Sequence, residues 1–240
     1  MKRTQLKFDE LNKLEVDYFD PMQISGDDKG RRRELAALLT DAFLFFFMTF
    51  QVHREHRSVQ TKDYYKNLLA QKIAEQVPKV TGVDSYLSNH IRELASDVVD
   101  TTFKNTDKDA HGLAESKVND KTPLITPPDI PSESGGYSSE SEENYWLSYR
   151  RADDIGKTEA NTFLNYTDYI DAKERGATKK TWLTMLDDKV RNTHEEVEGL
   201  TIGIDDLFTV GDSLMRFPHD LSESPDPKEV INCRCAVDYT

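Results

Sequence analysis

Hydrophobic and polar positions follow different rhythms along this chain, and the changes of rhythm mark its parts. A polar opening stretch closes on the turn-rich "SGDDKG". Residues 35–52, "LAALLTDAFLFFFMTFQV", then run apolar on nearly every side, with Asp41 as their one charge. A membrane span needs about 20 mostly apolar residues. This run is shorter and carries a carboxylate, so a helix buried on all sides, or docked on a partner, is the expectation, with a membrane helix as the alternative. Residues 60–103 read as two further helices. Tyr64, Leu68, Leu69, Ile73 and Val77 recur at helical spacing until Pro78, which should end the first. Asp84 or Ser85 could cap the second, whose Leu87, Ile91, Leu94, Ala95 and Val98 share a face. His53 and His90 are expected on helix surface, exposed or partly buried.

The rhythm disappears in residues 104–143. Their second half, "KVNDKTPLITPPDIPSESGGYSSESEE", is rich in Pro, Ser, Gly and Glu and cannot bury enough apolar area to order itself alone. Structure resumes with a long helical pattern through Leu147, Ile155, Thr158, Phe163, Tyr166 and Ile170, closed by Gly176. A strand around Trp182 follows, then a helical turn ending at Gly199. Leu200, Ile202 and Ile204 alternate and turn at Asp205–Asp206. After loops at Pro218, Pro225 and Pro227, residues 231–237 read as a strand, with Ile231, Cys233, Cys235 and Val237 on one face and Asn232, Arg234 and Ala236 on the other. The fold class is therefore α+β: a mainly helical N-terminal region over 1–103, a Pro/Ser-rich linker over 104–143, and a small mixed α+β module over 144–240.

Composition agrees with folded parts joined by a polar one. Hydrophobic residues make up 37% and charged residues 31%, against roughly 45–50% and about 25% in an ordinary soluble domain. The formal charge of −13 argues against a generic nucleic-acid coat but leaves room for a local basic face. Arg150, Arg151, Lys173, Arg175, Lys179, Lys180, Lys189 and Arg191 are the candidates. Their contacts to phosphate would be salt-sensitive and sequence-independent. The competing reading is a solvated face balanced by Asp168, Asp171 and Glu174. "MKRTQLKFDELNK" has no apolar core behind its basic residues, so no signal peptide is expected. No repeat, heptad run or phosphate-cradling glycine loop is present.

The two cysteines, Cys233 and Cys235, lie too close in sequence to bridge without distortion. Two readings are open. With His194 they could hold zinc, the fourth ligand coming from Asp187, Asp188 or His219. Alternatively they are small, apolar-behaving core residues. "THEEVEG" departs from H-E-x-x-H at Glu198, which excludes the metalloprotease pattern. A nucleophile set of His194, Glu195, Asp188 and Cys233 lacks an elbow and an oxyanion glycine. No enzymatic activity is expected, and no cofactor apart from possible zinc. The rival is a metal-dependent nuclease or transferase using His194, Cys233 and Cys235.

One set of residues carries more than pattern. "ADDIGKTEAN", "KTWLTMLDDKVRNTHEEVEG", "IDDLF", "FPHD" and "VINCRC" occur in that order. The arrangement of Ile155, Thr158, Glu159, Trp182, Asp188, Val190, Arg191, His194, Gly199, Phe208, Pro218, Asp220, Asn232, Cys233, Arg234 and Cys235 resembles the phage Mu F-like minor head protein family over residues 150–238. The resemblance implies a tailed-phage or prophage head component, present in few copies inside the virion capsid after assembly in the host cytoplasm. It implies partners in the portal protein, scaffold or major capsid protein and phage DNA, with roles in head assembly and DNA packaging or ejection. No toxin domain is expected after the module. The 35–52 run is no part of the family pattern; self-association, portal docking or membrane contact during ejection are its candidate roles. Within the module, Trp182, Phe208, Ile204 and Val237 should form a small core. Arg191 and Arg234 should form an ion-pair network with Asp188, Glu159 and Asp220.

Overall fold

The computed structural model describes residues 16–19, 22–81, 88–116 and 142–240. A short helix, α1 (Val16–Phe19), leads into α2 (Gly26–Glu55), α3 (Lys62–Thr81) and α4 (Ser88–Ser116). A 3-10 turn (Glu142–Leu147) then opens α5 (Tyr149–Glu174). The rest is smaller: β1 (Lys179–Leu183), α6 (Asn192–Glu195), β2 (Thr201–Gly203), β3 (Phe208–Val210), β4 (Ser213–Met215), α7 (Pro227–Val230) and β5 (Ala236–Tyr239). The α+β expectation holds.

The apolar 35–52 run is the heart of α2. Ser25 caps this helix by accepting from the Asp28 N–H at 3.1 Å, and Asp27 and Asp28 sit in the first turn, where the helix dipole favours anions. Leu35, Leu39, Phe43, Phe46, Phe47 and Phe50 are buried, at the three- and four-residue spacing that puts them on one side. By length and composition α2 could cross a membrane, yet half of its most apolar window is buried inside the protein. The expected all-round burial is incomplete: Phe45, Met48 and Val52 remain exposed. Phe46 and Phe50 meet Tyr65 at 5.8 and 5.4 Å between ring centroids, and Phe103 closes the aromatic cluster at 4.8 Å from Phe50.

Two sequence expectations for α3 are corrected. The helix continues through Pro78 to Thr81; the Thr81 hydroxyl donates to the Val77 carbonyl at 2.9 Å, in the turn where the proline ring would otherwise end the ladder. Its core tyrosine is Tyr65, fully buried, and Tyr64 faces solvent. The Tyr65 hydroxyl lies 2.7 Å from His53 Nδ1, which places His53 on partly buried helix surface as expected. Asp84, Ser85 and Leu87 lie outside the described residues. Ile91, Leu94, Ala95 and Val98 are buried together. Helix α4 runs beyond residue 103 to Ser116, into the stretch read as linker; residues 117–141 lie outside the described residues.

Helix α5 belongs to both halves. Its Ala152, Ala160, Phe163 and Leu164 join the same core as α2, α3 and α4. Its closest partner is α2, and the two approach at Gly156. A Cβ built there would lie 2.5 Å from Thr40 Oγ1 and 2.8 Å from the Ala36 carbonyl oxygen, so glycine is what permits the crossing. His90 on α4 ties to α5 through Glu159, at 2.9 Å from Nε2 to the carboxylate. Burial lowers the His90 pKa, but the hydrogen bond and charge of Glu159 outweigh it and leave it above the usual 6.5. The pair therefore contributes stability that is fully present below about pH 6.5 and is lost as pH rises through the folded value. His90→Gln should destabilise most at about pH 5.5 and least at about pH 8.5 in urea unfolding; an equal loss at both would contradict this.

The module's sheet has the order β2-β1-β5, all antiparallel, and β3 and β4 form a separate hairpin with Phe208 opposite Met215. On β1 the inward positions are Lys180 and Trp182, both fully buried, as the two-residue period requires. Trp182 pairs with Val237 across the ladder. The second core holds Trp182, Val197, Phe208, Val210, Met215, Val230, Cys233 and Cys235, with Ile202 and Val237 packed against it. Trp182, Phe208 and Val237 thus take the places expected of them; Ile204 does not, because it follows the end of β2 at a turn. The expected strand over 231–237 is also corrected: only Ala236–Tyr239 forms β5. Asn232 adopts φ +57, a left-handed conformation tolerated best by Gly, Asn and Asp, which breaks the alternation and leaves Ile231 exposed.

A buried histidine–cysteine cluster as candidate functional site

Three short segments build the cluster. Helix α6 presents His194, which is 1% exposed. The loop before β5 presents Cys233 and Cys235, both buried and unbridged. Helix α7, capped by Asp226 accepting from the Lys228 N–H at 3.0 Å and started by Pro227, presents Glu229, which is 2% exposed. His194 Nε2 lies 3.1 Å from Glu229 Oε2. Its Nδ1 faces both sulfurs, at 3.3 Å from Cys235 Sγ and 3.6 Å from Cys233 Sγ. With the imidazole proton on Nε2, donated to Glu229, Nδ1 presents a lone pair to the two cysteines. Thr193 Oγ1 adds a 2.8 Å hydrogen bond to the same carboxylate oxygen. Gly211, at φ +58 in the β3–β4 turn, comes so close that a Cβ there would lie 3.0 Å from Glu229 Oε1.

The two thiols are unequal. Burial pushes the Cys233 pKa up, but hydrogen bonds with Cys235, His194 and His219 outweigh it and bring it well below the ordinary value. Cys235 moves well above, raised by its bond to Cys233 and by burial. A close buried pair shares a proton more readily than it loses both. The indole N–H of Trp182 is buried with no hydrogen-bond partner. It favours the Cys235 thiolate from outside hydrogen-bond geometry. The indole ring stands edge-on to His194 at 5.8 Å.

Helix α5 anchors the cysteine loop from behind. Asn161 Nδ2 donates to the Cys233 carbonyl at 3.1 Å, and the Asn232 N–H donates to Thr158 Oγ1 at 3.3 Å. His219 Nε2 lies 2.8 Å from the Cys233 carbonyl, with Thr162 Oγ1 3.3 Å from its Nδ1. Asn165 Nδ2 reaches the Pro218 carbonyl at 2.9 Å. The two asparagines are in turn oriented by Arg32 of α2, which donates to Asn161 Oδ1 at 2.8 Å and Asn165 Oδ1 at 2.9 Å. A chain of hydrogen bonds therefore runs from the N-terminal helices through α5 to both C-terminal loops. Arg32 and its partners were not singled out in the sequence; the middle arginine of "KGRRRELA" carries no local sign of burial.

The expected ion-pair network is replaced by separate contacts. Arg234 pairs with Asp187 at 2.8 Å, and Arg191 donates to the Ile231 carbonyl. Glu159 serves His90. Asp220 accepts from the Arg216 N–H at 2.9 Å, and Asp188 is exposed. Glu159 is thus drawn to α4 and Asp220 to its own loop, away from the two arginines. Of the proposed fourth ligands, Asp187 is therefore engaged, Asp188 faces solvent, and both His219 nitrogens have oxygen partners.

The basic candidates divide. Arg151 is buried, donating to Thr102 Oγ1 at 2.8 Å and to the Trp146 carbonyl at 2.6 Å. Lys180 is buried too, donating to the carbonyls of Ile204 and Asp206 at 2.6 and 2.7 Å; burial lowers its pKa to about 8. Neither is a surface group. Lys173 pairs with Asp205 at 2.6 Å. Arg150, Arg175, Lys179 and Lys189 are exposed. A cavity of about 450 Å³ lies elsewhere, between Tyr166, Tyr169, Arg216 and Phe217. Beside the cluster there is only about 20 Å³, which tells against a substrate-sized cleft there.

A small module whose buried polar groups serve one another, docked on a helical core, is the class that fold and site define. Residues 137–238 match the family model described as Phage Mu protein F like protein. The match bears out the resemblance read over 150–238 and starts slightly earlier. Among curated proteins, NAD(+)--arginine ADP-ribosyltransferase EFV of Enterococcus faecalis is 35% identical over 94 residues, covering 38% of this chain and 19% of that protein. The chain thus spans about a fifth of that relative's length. No solved structure matches the chain.

Proposed function

We propose that this chain is a bacteriophage minor head protein that attaches to the portal inside the capsid and acts in head assembly and in DNA packaging or ejection. The match of residues 137–238 to the Mu F-like family carries the reading. The site's geometry is consistent with a structural part: Thr158 and Arg234 each hold a separate segment in place and Asp220 closes its own loop, contacts that set the module's shape. Co-expression with the portal protein of the same phage or prophage should yield a joint complex on size exclusion; separate elution at every salt concentration would count against the proposal.

DNA contact is part of this reading and would rest on Arg150, Arg175, Lys179 and Lys189. Four phosphate contacts give a slope of log K against log salt of about −3 to −4. Charge reversal at Lys179 and Lys189 together should flatten that slope and weaken binding uniformly across sequences; an unchanged slope would place the contacts elsewhere.

A second reading, transfer of ADP-ribose to arginine, comes from the name of the relative that shares 94 residues. The proposal here is that the chain performs no transfer. Incubation with labelled NAD+ and an arginine-rich acceptor should give no product. Turnover that disappears in His194→Ala would reverse the assignment.

A further inference from the structure

Among the described residues, His194, Cys233 and Cys235 are the group whose ligand atoms, one per residue, all lie within 4.8 Å of one another. We propose that these three side chains bind one zinc ion, through Nδ1 and two thiolates, with a water molecule in the fourth position. The inference stands apart from the head-protein reading and holds whether or not that reading does.

The distances fit. Zn–S bonds of about 2.3 Å and Zn–N bonds of about 2.0–2.1 Å at tetrahedral angles put ligand atoms roughly 3.5–3.8 Å apart. The observed separations from Nδ1 are 3.3 Å to Cys235 Sγ and 3.6 Å to Cys233 Sγ. Both nitrogen–sulfur separations are within a few tenths of an ångström of that range, and all three ligand atoms lie within 4.8 Å of one another. The donor set of one imidazole and two thiolates is one that zinc favours over calcium or magnesium.

The surroundings fit as well. Metal-binding histidines almost always donate their other N–H to a carboxylate, carbonyl or water, which fixes the tautomer. Glu229 occupies that position, buried at 2% exposure and itself held by Thr193. A divalent ion bound by two thiolates adds no net charge to the core, and the Glu229 carboxylate keeps its contact with His194 Nε2 at 3.1 Å. The Trp182 N–H, without a partner beside Cys235, gains a thiolate to face. The adjoining cavity, between Met185, Arg191, Asn232 and Arg234, measures about 20 Å³, room for one water. Binding forms two Zn–S bonds and one Zn–N bond, and the thiol protons leave to solvent.

The full chain, made without a polyhistidine tag and stripped with chelator, should retain about one zinc per chain after reloading with zinc chloride and desalting. Cobalt(II) in its place should give a thiolate-to-metal charge-transfer band. Cys233→Ser with Cys235→Ser should remove both. Because that double variant could unfold, Glu229→Gln provides the second arm: it should keep the wild-type circular dichroism yet weaken zinc binding by about 10–100-fold. Stripped, folded protein that takes up no zinc and shows no cobalt–thiolate band would overturn the proposal. So would zinc retained equally by the folded double-serine variant, or a zinc affinity unmoved by Glu229→Gln.

Discussion

Trp182→Ala should destabilise the protein by about 3–5 kcal/mol, the largest loss expected from any single truncation in the C-terminal module. The indole is fully buried, on the central strand of the β2-β1-β5 sheet. It packs edge-on against Phe208 at 5.1 Å and against His194 at 5.8 Å. Its backbone also closes the sheet, donating to the Leu200 carbonyl at 3.1 Å and accepting from the Gly199 N–H at 2.9 Å. Alanine would keep those bonds and leave a cavity that surrounding strands can only partly fill. Trp182→Phe should cost far less, since it keeps a ring and removes an N–H with no hydrogen-bond partner. Urea unfolding of both variants checks the ordering. A phenylalanine variant as unstable as the alanine one would show that the indole nitrogen, and not its bulk, matters at this position.

Arg32→Ala should cost a similar amount, about 3–5 kcal/mol, for a different reason. Arg32 is 1% exposed and lies 3.2 Å from Asp168. Burial lowers its pKa, yet its guanidinium remains the donor for Asn161 and Asn165. Removing it strands two amide oxygens and leaves the partly buried Asp168 with Arg31, 3.6 Å away, as its remaining ion-pair partner. Burial already raises the Asp168 pKa, with Arg32 opposing the rise; without Arg32 it should rise further. Because both asparagines continue to the Cys233 and Pro218 carbonyls, the damage should reach the C-terminal loops. Hydrogen exchange at residues 217–220 and 232–235 should therefore increase in Arg32→Ala. Exchange confined to α2 and α5 would contradict the relay. Arg32→Ala and Asn161→Ala should also combine to less than the sum of their separate costs, as coupled neighbours do.

Elements governed by local periodicity were legible in the sequence. The presence of helices in the first half, though not the ends of α3 and α4, the long α5 with Gly176 at φ +84 after it, and the strand carrying Trp182 follow from spacing. The meeting of His194 with the two cysteines was also readable, because the residue types suggest one another. What escaped were matters of tertiary choice. Tyr64 and Tyr65 both fit a helical stripe, and only packing against Phe50 and Phe103 decides between them. The strand pattern at 231–237 was real as alternation, but Asn232 turned left-handed to meet Thr158. Arg151 and Lys180 read as surface charge because nothing in a basic residue's neighbours reveals that carbonyls await it. The role of Glu229 was hidden for a related reason: its partner His194 lies 35 residues away.

The composition of purified heads tests most directly whether this chain is a structural component of a phage particle. Quantitative mass spectrometry of particles from the phage or prophage that encodes it should find this polypeptide in few copies, retained with the portal when heads are disrupted. Its complete absence from mature heads and from assembly intermediates alike would contradict the head-protein reading.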